Sequence, residues 1–227
     1  MSNLLIFGSN SDIARELDRM FVKDGWTVQR WARTQRTAKF DNWDLCLIAL
    51  GRIAPVGFWA KADPIDWELT IESNLIAPYR LLRSVWGWRN PHASVCFLAG
   101  SNPNMVMAGY SAYNTGKMAL LKLCEQLDAE SDAKLFALGP GIVLTKIHNA
   151  TLEAKWPNPK LEQAMKEGKS TDVKRIYSCL TWCLRQSKSV VGGRNICVSD
   201  SDDWDNENNL QLFLESDDWM FKLRRQE

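Results

Sequence analysis

A surplus of charge of either sign is missing from this sequence. It carries 28 Lys and Arg against 27 Asp and Glu, a net charge of +1 over 227 residues. Such a balance gives no long-range field to attract a polyanion, so nucleic acid and anionic membrane are not expected partners. Long apolar runs are missing too, and no stretch approaches the ~20 residues that a membrane span needs. The N-terminus goes from Met1, Ser2 and Asn3 straight into Leu4–Phe7, with no basic segment and no cleavage site. We therefore expect no signal peptide and a cytoplasmic chain. Histidine is scarce. His92 and His148 do not stand at metal-ligand spacing from a cysteine, and none of the six cysteines forms a Cys-x-x-Cys pair. No metal site is expected. Cys46, Cys96 and Cys197 lie in apolar runs of strand character, and Cys124, Cys179 and Cys183 on helical patterns, which reads as buried, reduced thiols. The 11 tryptophans follow no repeat period, and most read as packing residues.

Short apolar runs alternate with longer amphipathic stretches. Strands are expected at 4–7, 26–31, 45–50, 93–99, 134–138 and 195–198. Helices are expected at 12–23, 64–88, 111–129 and 171–186, the first with Ile13, Leu17, Met20 and Phe21 on one face and Gly25 closing it. This order implies βαβ units with right-handed crossovers. The fold class is α/β, a doubly wound, Rossmann-like parallel sheet with helices on both faces. Residues 33–45 are too few for a further helix and strand, so the sheet is trimmed after its second strand. Residues 1–198 read as one domain with a lid at 146–170, and 199–227 as a C-terminal tail with a short packed helix. Within the lid, Trp156 is a candidate pocket wall.

The first strand runs into Gly8-Ser9-Asn10-Ser11-Asp12-Ile13, a glycine at a strand-to-helix turn. A turn of this kind lets backbone and helix N-terminus approach a pyrophosphate, although the full G-x-G-x-x-G form is absent. No acid follows the second strand to take a ribose 2′-hydroxyl. Arg33, ahead of Arg30 and Arg36, is placed to meet a 2′-phosphate, so NADP is expected over NAD. Further on, Tyr113 and Lys117 stand four apart on one helix face. An ammonium beside a phenol favours the phenolate, lowers its pKa, and makes an acid/base pair usable near neutral pH. Pro78 has no N–H, so the Asn74 carbonyl loses its helical partner and is free to hold a water.

In this order these elements resemble the short-chain dehydrogenase/reductase family, over residues 4–198. The resemblance implies a catalytic set of Asn74, Ser101, Tyr113 and Lys117. Tyr113 would be the proton donor, Lys117 its partner and a ribose ligand, Ser101 the residue that orients the substrate oxygen, and Asn74 a station in a proton relay. It also implies that Pro140, Gly141, Ile142 and Thr145 border the nicotinamide, and that Gly51 and Asp41 belong to the cofactor site. The chain departs from the family pattern at Asp12 and Ala14, where turn glycines stand, and at Ile48–Leu50. Ser101 lies one residue nearer the tyrosine than usual. The implied protein is an NADP-dependent oxidoreductase acting on a small-molecule carbonyl or alcohol, as a homodimer or homotetramer. Alternatives are a non-catalytic NADP-binding sensor or scaffold and a sugar-nucleotide-modifying enzyme.

Overall fold

The computed structural model describes residues 2–32, 42–100, 105–198, 207–218 and 220–223. Strand β1 (Asn3–Phe7) leads into helix α1 (Asp12–Lys23), and β2 (Thr27–Trp31) follows. Ser11 caps α1, its Oγ accepting from the Ala14 N–H at 3.2 Å. Gly25 ends that turn at φ +82°, a left-handed geometry that suits glycine. Strand β3 (Trp43–Ile48) pairs with β1 directly, Leu4 beside Leu45, and among the described residues no strand lies outside β2. The expected helix 64–88 is broken into α2 (Pro64–Ile71), a π turn (Glu72–Ile76), α3 (Ala77–Val85) and a 3-10 turn (Trp86–Trp88). Strand β4 (Arg89–Leu98), helix α4 (Ser111–Ala129) and strand β5 (Lys134–Gly139) come next. The return to the last strand passes through α5 (Asn149–Glu153), α6 (Pro159–Glu167), α7 (Val173–Arg185) and α8 (Lys188–Val191). It ends in β6 (Asn195–Cys197), and α9 (Glu207–Ser216) lies beyond.

The six strands among the described residues are all parallel, in the order β2-β1-β3-β4-β5-β6. This is the doubly wound sheet expected from the sequence. Alternation along each strand feeds two cores. Leu4 and Ile6 of β1 pack with α1 and α7 on one face, and Leu5 and Phe7 pack with α3 and α4 on the other. At ~25 cal/mol per Å², such two-sided burial is the main driving force for the sheet. All six cysteines are buried and unbridged, and burial pushes the Cys46, Cys96, Cys124 and Cys183 thiols up, away from reactivity.

Two buried cations hold elements together. Lys134 Nζ donates to the carbonyls of Cys183, Leu184 and Gln186 at 2.9, 2.9 and 2.7 Å, satisfying the end of α7. Arg194, 1% exposed, donates to the carbonyls of Leu214, Asp217 and Met220 at 2.7–2.9 Å, tying the C-terminal segment to the edge of the sheet. No helix among the described residues is long and apolar enough to cross a membrane.

Candidate active site

Strand order reverses at β1, which has β2 on one side and β3 on the other. In open α/β sheets the crevice outside the strand ends at such a switch point is where ligands sit. A cavity of about 620 Å³ opens there. It reaches Ser11, Asp12 and Ile13 at the start of α1, and Leu50 and Gly51 after β3. Pro140, Gly141, Ile142 and Thr145 line it after β5, as does Tyr113 with Lys117 on α4. The turn before α1 needs Gly8. Its φ is +80°, and a Cβ there would lie 2.6 Å from the Ala49 carbonyl oxygen. Gly8, Ser9 and Asn10 do not face the cavity. Ser9 Oγ donates to the Trp31 carbonyl at 3.3 Å, and the Asn10 carbonyl accepts from Lys146 at 2.9 Å. The N–H groups of Asp12 and Ile13 have no protein acceptor among the described residues and stand at the positive end of α1. At Gly51 a Cβ would already touch Asn74 Oδ1 at 3.4 Å and Lys117 Nζ at 3.7 Å, so glycine keeps that stretch of the cavity wall bare. These donors and this bare backbone fit a dinucleotide.

Lys117 is 3% exposed and donates to the carbonyls of Leu50 at 3.1 Å and Leu98 at 2.9 Å. Burial draws its pKa down to about 8. Tyr113 is half-buried in the cavity wall, and its apolar surroundings push the phenol up to about 12. This corrects the expectation of a depressed phenol. The ammonium is engaged with two carbonyls, and loss of hydration acts on the phenolate more strongly. Asn74 is fully buried in the π turn, where the Ala77 N–H reaches back to the Glu72 carbonyl. Its Nδ2 donates to the carbonyls of Arg52 at 2.7 Å and Thr70 at 2.9 Å, and its Oδ1 has no partner among the described residues. Gly116 permits this approach, since a Cβ there would lie 2.9 Å from Asn74 Cβ.

Comparison with known proteins gives a consistent result. No family model matches the chain. Short chain dehydrogenase mpl6 of Monascus purpureus is 25% identical over 179 residues, 77% of this chain and 56% of the relative. The chain thus spans little more than half the length of that relative. A short-chain dehydrogenase/reductase structure from Saccharomyces cerevisiae superposes with a TM-score of 0.77 at 18% identity, covering 88% of this chain and 97% of that one. A small-chain dehydrogenase solved in complex with NADPH superposes with a TM-score of 0.73 at 15% identity, covering 86% and 95%. The described residues share the fold of these short-chain dehydrogenase/reductase structures. On this fold the structure gathers Asp12, Ile13, Gly51, Tyr113, Lys117 and the 140–145 turn around one cavity. Ser101, Arg33 and Asp41 lie outside the described residues.

Several cavity residues were not singled out from the sequence. Tyr110 hydroxyl donates to Thr151 Oγ1 and accepts from Asn158 Nδ2, both at 3.1 Å, linking the start of α4 to the 146–170 segment. Met107, Leu161 and Lys146 also line the cavity. The nearness of Tyr110 to Tyr113 was the one available signal. His148 lines the cavity, and burial lowers its pKa, partly offset by its hydrogen bond to the Val143 backbone. Trp156 does not face the cavity. It lies against Gly109, donates to the Ala108 carbonyl at 2.8 Å, and meets the Phe58 ring edge-on at 5.0 Å. Among the described residues no His, Cys, Asp and Glu group of three or more could hold a metal ion.

Proposed function

We propose that the chain is an NADP-dependent oxidoreductase of the short-chain dehydrogenase/reductase type, with a small carbonyl or alcohol as substrate. The observation that carries this reading is one cavity bounded by both the N-terminus of α1 and the Tyr113–Lys117 face of α4. The first is an anion-binding end and the second a proton-transfer end. The N–H groups of Asp12 and Ile13 would hold the pyrophosphate, the 140–145 turn would border the nicotinamide, and Lys117 would reach the adjoining ribose. Arg33 keeps its sequence-based assignment to the 2′-phosphate, Asp41 to the adenine side and Ser101 to the substrate oxygen. Arg30 is engaged with Asp18 at 2.6 and 2.8 Å, which favours Arg33 or Arg36 over Arg30 for the 2′-phosphate. The NADPH complex of a neighbour with this fold supports the choice of cofactor. Bound NADPH supplies a hydride.

Tyr113 supplies the proton. A phenol at about 12 is protonated at neutral pH, so its Oη can donate to a carbonyl oxygen as that oxygen gains charge. Lys117, charged below about 8, stabilises the phenolate that is left. The Asn74 carbonyl in the π turn would hold the water that reconnects Lys117 to solvent. These features favour reduction of a carbonyl at neutral pH. Ile65, Leu69 and Tyr79, exposed on α2 and α3, fit a second copy of the chain in a homodimer or homotetramer. The test is NADPH consumption over a panel of carbonyl compounds. Wild type should turn over at least one, and Tyr113→Phe should lose turnover by at least ~10²-fold while still binding NADPH. Equal rates for the two proteins would defeat the assignment.

A further inference from the structure

Lys146 follows Thr145 at the point where the chain turns from β5 back over the cavity. Its contacts cross the cleft to the start of α1, 134 residues away in sequence. The Lys146 N–H donates to Asp12 Oδ2 at 3.1 Å, and its ammonium donates to the Asn10 carbonyl at 2.9 Å. The same ammonium stands 3.3 Å from Asp12 Oδ1, with the lysine side chain 59% exposed. Both residues line the cavity.

Asp12 is an unusual neighbour for a phosphate. A carboxylate in the first turn suits the helix dipole, but it repels any second anion brought to the same N–H groups. Binding there needs a cation that can serve either anion. The other lysines of the cavity wall are placed differently. Lys117 is buried on two carbonyls, and Lys160 projects from α6. Lys146 alone among them reaches the start of α1.

We propose that Lys146 is a phosphate-binding residue of the dinucleotide site, its ammonium passing from the Asp12 carboxylate to the cofactor pyrophosphate. This rests on the dinucleotide reading given above. Asp12 then sets affinity by competing for the same ammonium. A plain latch between the 146–170 segment and α1 would behave differently. Cofactor entry would have to open it, so its removal would leave binding unchanged or tighter.

The experiment is a fluorescence titration of NADPH into wild type, Lys146→Met, Lys146→Arg and Asp12→Asn, with thermal melting to confirm folding. A charge-assisted contact predicts that Lys146→Met raises Kd on the order of ten-fold or more, and that Lys146→Arg restores most of the loss. Asp12→Asn should tighten binding a few-fold, because the ammonium is released to the phosphate. In turnover, Lys146→Met should raise KM for NADPH in step with Kd. Wild-type or tighter affinity in Lys146→Met overturns the proposal, as does an Asp12→Asn variant that loosens as much as Lys146→Met. If wild type itself fails to bind NADPH, the dinucleotide reading falls as well, a result plainly different from selective failure of the Lys146 variants.

Discussion

At Tyr113 and Lys117, one environment acts on two groups in opposite directions. Loss of water disfavours the charged form of each, raising the phenol to about 12 and lowering the ammonium to about 8. Reduction needs both groups protonated, so the rate should hold through neutral pH and fall as pH rises through about 8, where Lys117 is lost first. Stability should move the other way. The folded chain releases the Lys117 proton near 8 and the unfolded chain near 10.5, so between those values the unfolded state binds more protons and stability rises with pH. The melting temperature of wild type, compared with Lys117→Met, should therefore improve between pH 7 and pH 10. A constant difference would show that Lys117 is not held in an apolar site. The spacing of this pair was legible in the sequence. The direction of the tyrosine shift was not, because spacing carries no information about which carbonyls occupy the lysine.

At the scale of elements, the site depends on how closely α4 meets the π turn. Pro78 marked the break in the long helix, since it removes the N–H that a regular turn would use. The sequence pattern gave a continuous helix all the same, because the segments on both sides of the break are helical. Gly116 was overlooked for a related reason. Its importance lies in the Asn74 Cβ across from it, 2.9 Å from where its own Cβ would stand. Gly116→Ala should therefore cost about 1–3 kcal/mol in overpacking, set against about 1 kcal/mol of helix propensity gained. The net loss by urea denaturation should be small. Turnover should fall on the order of ten-fold or more, because the shift is delivered to the helix that carries Tyr113 and Lys117. Unchanged turnover would mean that the spacing between these helices is not part of the site. The limits of α1 and α4 agree with the sequence reading to the residue. Strand β4 starts at Arg89, ahead of its apolar run at Ala93, because pairing with Trp43 extends it. Backbone pairing of that kind leaves no mark on side-chain pattern.

At the scale of the whole molecule, all six strands and their parallel arrangement followed from the alternation of apolar runs and amphipathic helices. Long-range polar fastening did not, since a single arginine or lysine in sequence looks like a surface charge. Arg194 joins the β6 edge to the C-terminal segment through three carbonyls. Arg194→Met should leave those acceptors unsatisfied and cost about 2–4 kcal/mol, read as a lower urea midpoint with the cavity residues untouched. A midpoint equal to wild type would show that the C-terminal segment adds nothing to the stability of the sheet. The cavity itself joins parts distant in sequence, α1, α4, the 140–145 turn and the 146–170 segment, and its chemistry stands or falls as a unit. The most direct measurement is transfer of label from NADPH carrying deuterium at the reactive nicotinamide carbon to a carbonyl substrate. We predict deuterium on the new carbinol carbon of one product enantiomer with wild type, and none with Tyr113→Phe. Tight NADPH binding with no label passed to any carbonyl tested would contradict a catalytic role and leave a cofactor-binding protein in its place.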